Sequence, residues 1–291
     1  MTQMTDQTIA VLGTGAIGSA VTTALLGAGH RVVAWNRTPA RTRGVRSAGA
    51  TIVADPADAL SAAPLALVCL TDHDGVRDLL GSLPQSTTAR AVAVLSTGTP
   101  EDADRAAALA HERGLDYLDV GVQTSPDDIG TPDATLLYAG PRAVVDAHRD
   151  ALGSLGPVTW VGEDPGAAAV WDLALFGLWY DAQLGLLRAL EQVTAAGVPA
   201  TAFAEAARRQ LAHVVDAAVS TADEVAERHY PRGPAALAEH APVLARLRGA
   251  RTDGRFGDGG LGPVADSIAR LVARGHGDLG LTALLDEDLG Q

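Results

Sequence analysis

The chain has 291 residues, 47% of them hydrophobic, enough for about two domains with substantial cores. Its net charge of -13 and pI near 4.9 exclude a nucleic acid or an anionic membrane surface as the expected partner, since both attract basic proteins. The single cysteine, Cys69, can form neither an intrachain disulfide nor a zinc site. The opening residues lack the basic segment and long apolar core of a signal peptide, so the cytoplasm is the expected location.

The first half alternates short β-branched runs with helix-like segments, the pattern of a parallel sheet with crossover helices. Strands are expected over residues 8–12, 31–35, 51–53, 65–70, 91–95, 115–119, 135–139 and 158–161. Asp55-Pro56 and Thr99-Pro100-Glu101 read as helix starts, a capping side chain followed by proline in the first turn.

After the first strand comes Gly13-Thr14-Gly15-Ala16-Ile17-Gly18, the glycine pattern that lets a dinucleotide pyrophosphate approach the backbone N–H groups of a helix N-terminus. The second strand ends Trp35-Asn36-Arg37-Thr38, where an NAD-specific chain carries an acidic residue for the ribose 2′-hydroxyl. A guanidinium at Arg37, with Asn36, Thr38 and Arg41 beside it, suits a 2′-phosphate and so favours NADPH.

The fourth and fifth strands end in CLTDHD and LSTGTP, and both loops fall at the carboxyl edge of the sheet where ligands bind. Leu70, Thr71, Asp72, Ser96 and Thr97 are therefore candidate cofactor contacts. Thr71, Asp72 and Ser96 serve equally well as helix caps. His73 reads as a surface residue and is given no catalytic role.

The strand pattern stops after residue 161, and the loop 162–166 divides a nucleotide-binding domain, residues 1–163, from an all-helical one, residues 164–291. The first helix of the latter spans about 166–196, ~45 Å at 1.5 Å per residue. Its apolar residues are not confined to one stripe, so it should be covered on most sides. A second subunit would supply cover that the remaining residues do not; an intrachain bundle is the alternative. Asp172, Asp181, Gln183 and Arg188 make the segment too polar to span a membrane.

Asp172 is an acid in an otherwise apolar stretch, and an unpaired buried charge is costly. On an ideal helix Phe176 and Trp179 share its face, and Tyr180 borders it. All 22 basic residues are arginine, so no mechanism here can use a lysine.

In order and spacing, GTGAIG, NRT, TDHD, STGTP, DVGVQTSPDDIGTPDATLLYAG, the Asp172 helix and the terminal GHGDLGLTALL resemble the β-hydroxyacid dehydrogenase superfamily, and most closely its imine reductases and reductive aminases. The resemblance runs from about Thr8 to the C-terminus. It implies an N-terminal Rossmann domain, a long interdomain helix and a C-terminal helical domain exchanged in a homodimer, with no metal.

The hydroxyacid dehydrogenases place a lysine where this chain has Asp172, the residue type that imine reductases commonly carry there. Asp172 is thereby implied as the catalytic acid or iminium counterion, and Tyr180 as the tyrosine that helps to place the amine. Val122, Gln123 and Thr124, with Phe176 and Trp179, would line the substrate pocket; Gln123, Thr124 and Ser125 make this loop more polar than the small apolar version of many imine reductases. Thr97 stands where aminating members tend to carry Asn, which places imine reduction ahead of reductive amination. The expected function is NADPH-dependent reduction of small cyclic imines. The alternatives are a carbonyl reductase of the hydroxyacid type and a non-catalytic NADPH-binding dimer.

Overall fold

A computed structural model describes residues 7–84, 88–251 and 254–290. Eight strands form one sheet: β1 (Thr8–Leu12), β2 (Arg31–Trp35), β3 (Thr51–Ile52), β4 (Leu65–Val68), β5 (Ala91–Val94), β6 (Asp116–Val122), β7 (Leu136–Ala139) and β8 (Val158–Gly162). Their order is β3-β2-β1-β4-β5-β6-β7-β8, with the chain reversing direction across the sheet between β1 and β4. That crevice is where doubly wound sheets bind ligands.

Alternate residues of each strand feed opposite faces. Ile9 and Val11 pack in one core with Val21 and Leu25 of helix α1 (Ala16–Gly27). Ala10 and Leu12 pack in the other with Leu60 of α3 (Pro56–Ala62), Leu80 of α4 (His73–Ser82) and Ala106 of α5 (Pro100–Glu112). A short α2 (Arg43–Ser47) follows β2, and α6 (Arg142–Ala147) and α7 (Arg149–Gly153) join β7 to β8. Both expected helix starts are capped. The Asp55 carboxylate accepts from the Ala57 N–H, and Thr99 forms a reciprocal capping box with Asp102.

The sheet is mixed rather than wholly parallel, because β7 runs antiparallel to β6. Between them the chain makes only the short turn Pro126–Asp128 and no crossover helix, and without a crossover a neighbouring strand must return antiparallel. β6 also extends to Val122, past the expected end at Asp119. Asp119 is thus a mid-strand residue.

From α8 (Ala167–Ala195) onward the chain is helical: α9 (Ala200–Asp216), α10 (Ala218–Glu227), α11 (Leu237–Arg251), α12 (Leu261–Ala273) and α13 (Glu287–Gly290). By compactness the chain divides into one unit ending at Gly177 and another beginning at Leu178. The division falls inside α8 because its first turns bury Ala168, Ala169 and Asp172 beside β6. In the second unit, Leu237 and Ile268 pack with Tyr230, Leu271 and Ala283.

Within this single chain α8 is not covered on most sides. Leu178 is 62% exposed, and Val170, Trp171, Leu173 and Leu187 are exposed too. No described helix is long and apolar enough to cross a membrane.

Candidate active site

In the β1–α1 turn the protein leaves the space beside the middle glycine open. Gly13 has φ +101°, and a Cβ there would lie 2.1 Å from the Cys69 carbonyl oxygen. One at Gly18 would lie 1.9 Å from the Gly13 carbonyl oxygen. Both glycines are demanded by backbone packing. A Cβ at Gly15 would meet nothing within 4 Å, and no side chain caps α1, whose first residues are Ala16, Ile17 and Gly18. Free N–H groups at a bare helix start form an anion cradle.

Next to this turn lies a cleft of about 500 Å3 at the carboxyl edge of the sheet. Gly15, Asn36, Arg37, Thr38 and Arg41 line one part of it, and Leu70, Thr71 and Asp72 another. These are eight of the expected cofactor residues, brought together from three separate loops. Arg37, Thr38 and Arg41 are exposed, with their polar groups available at the end of β2.

Other members of the set brace the cleft. The Asn36 amide accepts from the Thr14 N–H at 3.0 Å and donates to the Thr38 carbonyl at 3.0 Å. The Thr14 hydroxyl donates to the Arg41 carbonyl. Asp72 caps α4 through the Gly75 N–H at 2.8 Å, and the buried Ser96 hydroxyl donates to the Leu70 carbonyl at 2.8 Å. His73 corrects the sequence reading, since it is buried rather than on the surface. Its Nε2 bonds the Ser96 carbonyl at 3.0 Å, and its ring fills the space that a side chain at Gly98 would need. The ring thereby ties the β4 and β5 loops together.

A second constellation lies where α8 meets β6. Asp172 is 2% exposed. The Gln123 side-chain amide donates to its Oδ1 at 2.8 Å and to its main-chain carbonyl at 3.1 Å. Gly121 lies so close that a Cβ there would come within 3.1 Å of the carboxylate. Burial raises the Asp172 carboxyl above its ordinary range, and the polar groups of Gln123, Thr97 and Val122 oppose the rise. Thr124 and Phe176 are half-buried in the same unit.

Trp179 and Tyr180 fall in the second unit. Both are exposed, with their rings edge-to-face at 5.0 Å. Within one chain they face solvent.

Asp119 went unremarked in the sequence. It is 3% exposed and accepts from the Tyr117 hydroxyl at 3.2 Å. Its carboxyl is pushed up to about 7, chiefly by burial, with the charge of Asp172 adding to the effect. The available signal was an acid inside a strand whose neighbours are apolar. Among the described residues no group of three or more His, Cys, Asp or Glu side chains could hold a metal ion.

Residues 8–162 match the model of the NAD binding domain of 6-phosphogluconate dehydrogenase. Residues 164–287 match that of the NADPH-dependent reductive aminase-like C-terminal domain. The chain is 26% identical over 282 residues to an NADPH-dependent reductive aminase of Aspergillus oryzae, covering 96% of each. It is similar to the structure of a reductive aminase from Aspergillus terreus in complex with NADPH and ethyl levulinate, with 30% identity, a TM-score of 0.84, and 98% and 100% of the two chains covered. An imine reductase from a Pseudomonas species aligns with a TM-score of 0.85 at 27% identity, over 96% of this chain and 98% of that one.

Proposed function

The chain belongs to the imine reductase and reductive aminase family, NADPH-dependent oxidoreductases acting on C=N bonds, and from that premise we propose that it reduces small cyclic imines to amines. The observation that carries the reading is Asp172, a buried carboxylate that accepts from the Gln123 amide in a chain that has no lysine. A hydroxyacid-type mechanism would lack its acid/base group here. Imine reduction needs only an acidic or anionic group beside nitrogen.

NADPH, when bound, supplies the hydride. The residues of the cleft fit it: the bare Gly15 and the start of α1 would hold the pyrophosphate, and Arg37, Thr38 and Arg41 the 2′-phosphate. Leu70, Thr71 and Asp72 would border the nicotinamide half. Asp172 faces the substrate nitrogen, and Phe176 with Val122, Gln123 and Thr124 would shape the pocket.

A second copy of the chain is proposed to cover the exposed apolar side chains of α8, and Tyr180 and Trp179 would contact substrate in that dimer. Reductive amination is kept as an additional activity.

The test follows NADPH absorbance with a panel of cyclic imines, and in reverse with 3-hydroxy acids and NADP+. Imine-dependent oxidation should fall roughly 100-fold or more in Asp172→Asn, the scale of a lost acid/base or charge-stabilising group. Full activity in that variant at every pH would remove Asp172 from the reaction. Turnover of hydroxy acids but not imines would overturn the reading.

A further inference from the structure

We propose that Gln123 is a positioning residue that holds Asp172 ionised, so that Asp172 serves as the counterion of a protonated imine and not as its proton donor. This rests on the imine-reductase reading above and goes beyond it, because that reading leaves the two roles of Asp172 open.

The orientation of the Gln123 amide is settled by its two partners. One is the Asp172 main-chain carbonyl, which can only accept, so the Gln123 NH2 group and not its oxygen must face that side. The same nitrogen lies 2.8 Å from Asp172 Oδ1. The amide thus spends one N–H on the backbone and delivers the other to the carboxylate. Its grip on the main chain keeps it from turning to offer the carboxylate an acceptor.

The Val122 N–H and the Thr97 hydroxyl act on the same carboxyl and, like Gln123, oppose the rise that burial causes. A donor held in place favours the charged form, because on a protonated carboxyl it would compete with the carboxyl's own O–H. Asp119 on β6 feels the charge of Asp172, which adds to the rise that burial causes in its own carboxyl, and it accepts from the Tyr117 hydroxyl.

The chemistry balances without a proton from Asp172. The imine takes its proton from water before it is reduced. On hydride addition to carbon, the C=N π pair withdraws to nitrogen as a lone pair, giving neutral amine and NADP+. Asp172 stays ionised throughout, offsetting the iminium charge in a site that excludes water.

The experiment titrates Asp172 by 13C NMR of Asp-labelled protein without cofactor, its signal assigned by loss in Asp172→Asn. In Gln123→Met, which keeps the volume and loses the donor, the Asp172 titration should move up by about one pH unit, the scale of one lost hydrogen bond to a charged group. Gln123→Asn, whose shorter amide falls back from the carboxylate, should move it in the same direction. Where imines turn over, the acid limb of kcat/KM should move by the same interval. An Asp172 titration unchanged in folded Gln123→Met and Gln123→Asn overturns the proposal, as does a wild-type Asp172 still protonated at neutral pH. A wild type that oxidises no NADPH with any imine overturns the functional reading alone, and the titration still judges the clamp.

Discussion

At the scale of single residues, Asp119 and the turn glycines carry the sharpest expectations. Unfolded, an aspartate releases its proton near about 3.9. In the folded chain Asp119 holds its proton up to about 7. Between those values the folded state binds a proton that the unfolded chain lacks, so the stabilisation is complete below the lower pKa and is lost as pH rises through the upper one. The loss amounts to at most about 1.4 kcal/mol per pH unit in that window. Urea midpoints at pH 5 and pH 8 should therefore differ more in the wild type than in Asp119→Asn, and equal differences would contradict the account. Gly13→Ala should cost about 3 kcal/mol or more, since it combines a positive φ with a clash against the Cys69 carbonyl. Gly15→Ala should leave the thermal midpoint unchanged and weaken NADPH binding, which isothermal titration would register. The glycines and Asp172 were legible in the sequence because each breaks its local pattern. The buried His73 was not, since only the fold brings the Ser96 carbonyl to its ring.

At the scale of elements, the eight strands and the long α8 were readable from β-branched runs, proline-led caps and the spacing of glycines. The reversed direction of β7 was not, because alternation within a strand says nothing about which neighbour it pairs with. The clamp of Gln123 on Asp172 was hidden for a related reason. It joins residues 49 apart, and depends on where the end of β6 meets the start of α8. Removing the α5 cap in Thr99→Ala should destabilise the protein by about 1 kcal/mol in a denaturant melt, the usual value of an N-cap. On α8, Leu178→Arg places a charge on the apolar surface proposed to pair with a second copy. Size-exclusion mass should fall from dimer to monomer in this variant; an unchanged mass would move the interface elsewhere.

For the molecule as a whole, a net charge of -13 works against binding a polyanionic cofactor, so local guanidinium groups must outweigh the general field. Arg37 and Arg41 line the cleft and are proposed to supply them. A ligand that binds only the folded chain raises stability by about 2.7 kcal/mol at a hundred times its Kd. NADPH should therefore raise the thermal midpoint well above the value reached with equal NADH, and Arg37→Ala should narrow the gap. Equal shifts by the two cofactors in the wild type would remove the 2′-phosphate role of Arg37.

The three glycines of the first turn differ in what would penalise their replacement. Gly13 and Gly18 are enforced by the chain's own carbonyl oxygens, while the space beside Gly15 is open. A descendant that stopped using the cofactor would remain under pressure at the two outer positions simply to fold, but would be free to drift at the middle one. An alanine or serine at the position of Gly15, between two retained glycines, would thus mark a relative that has kept this architecture and abandoned its ligand.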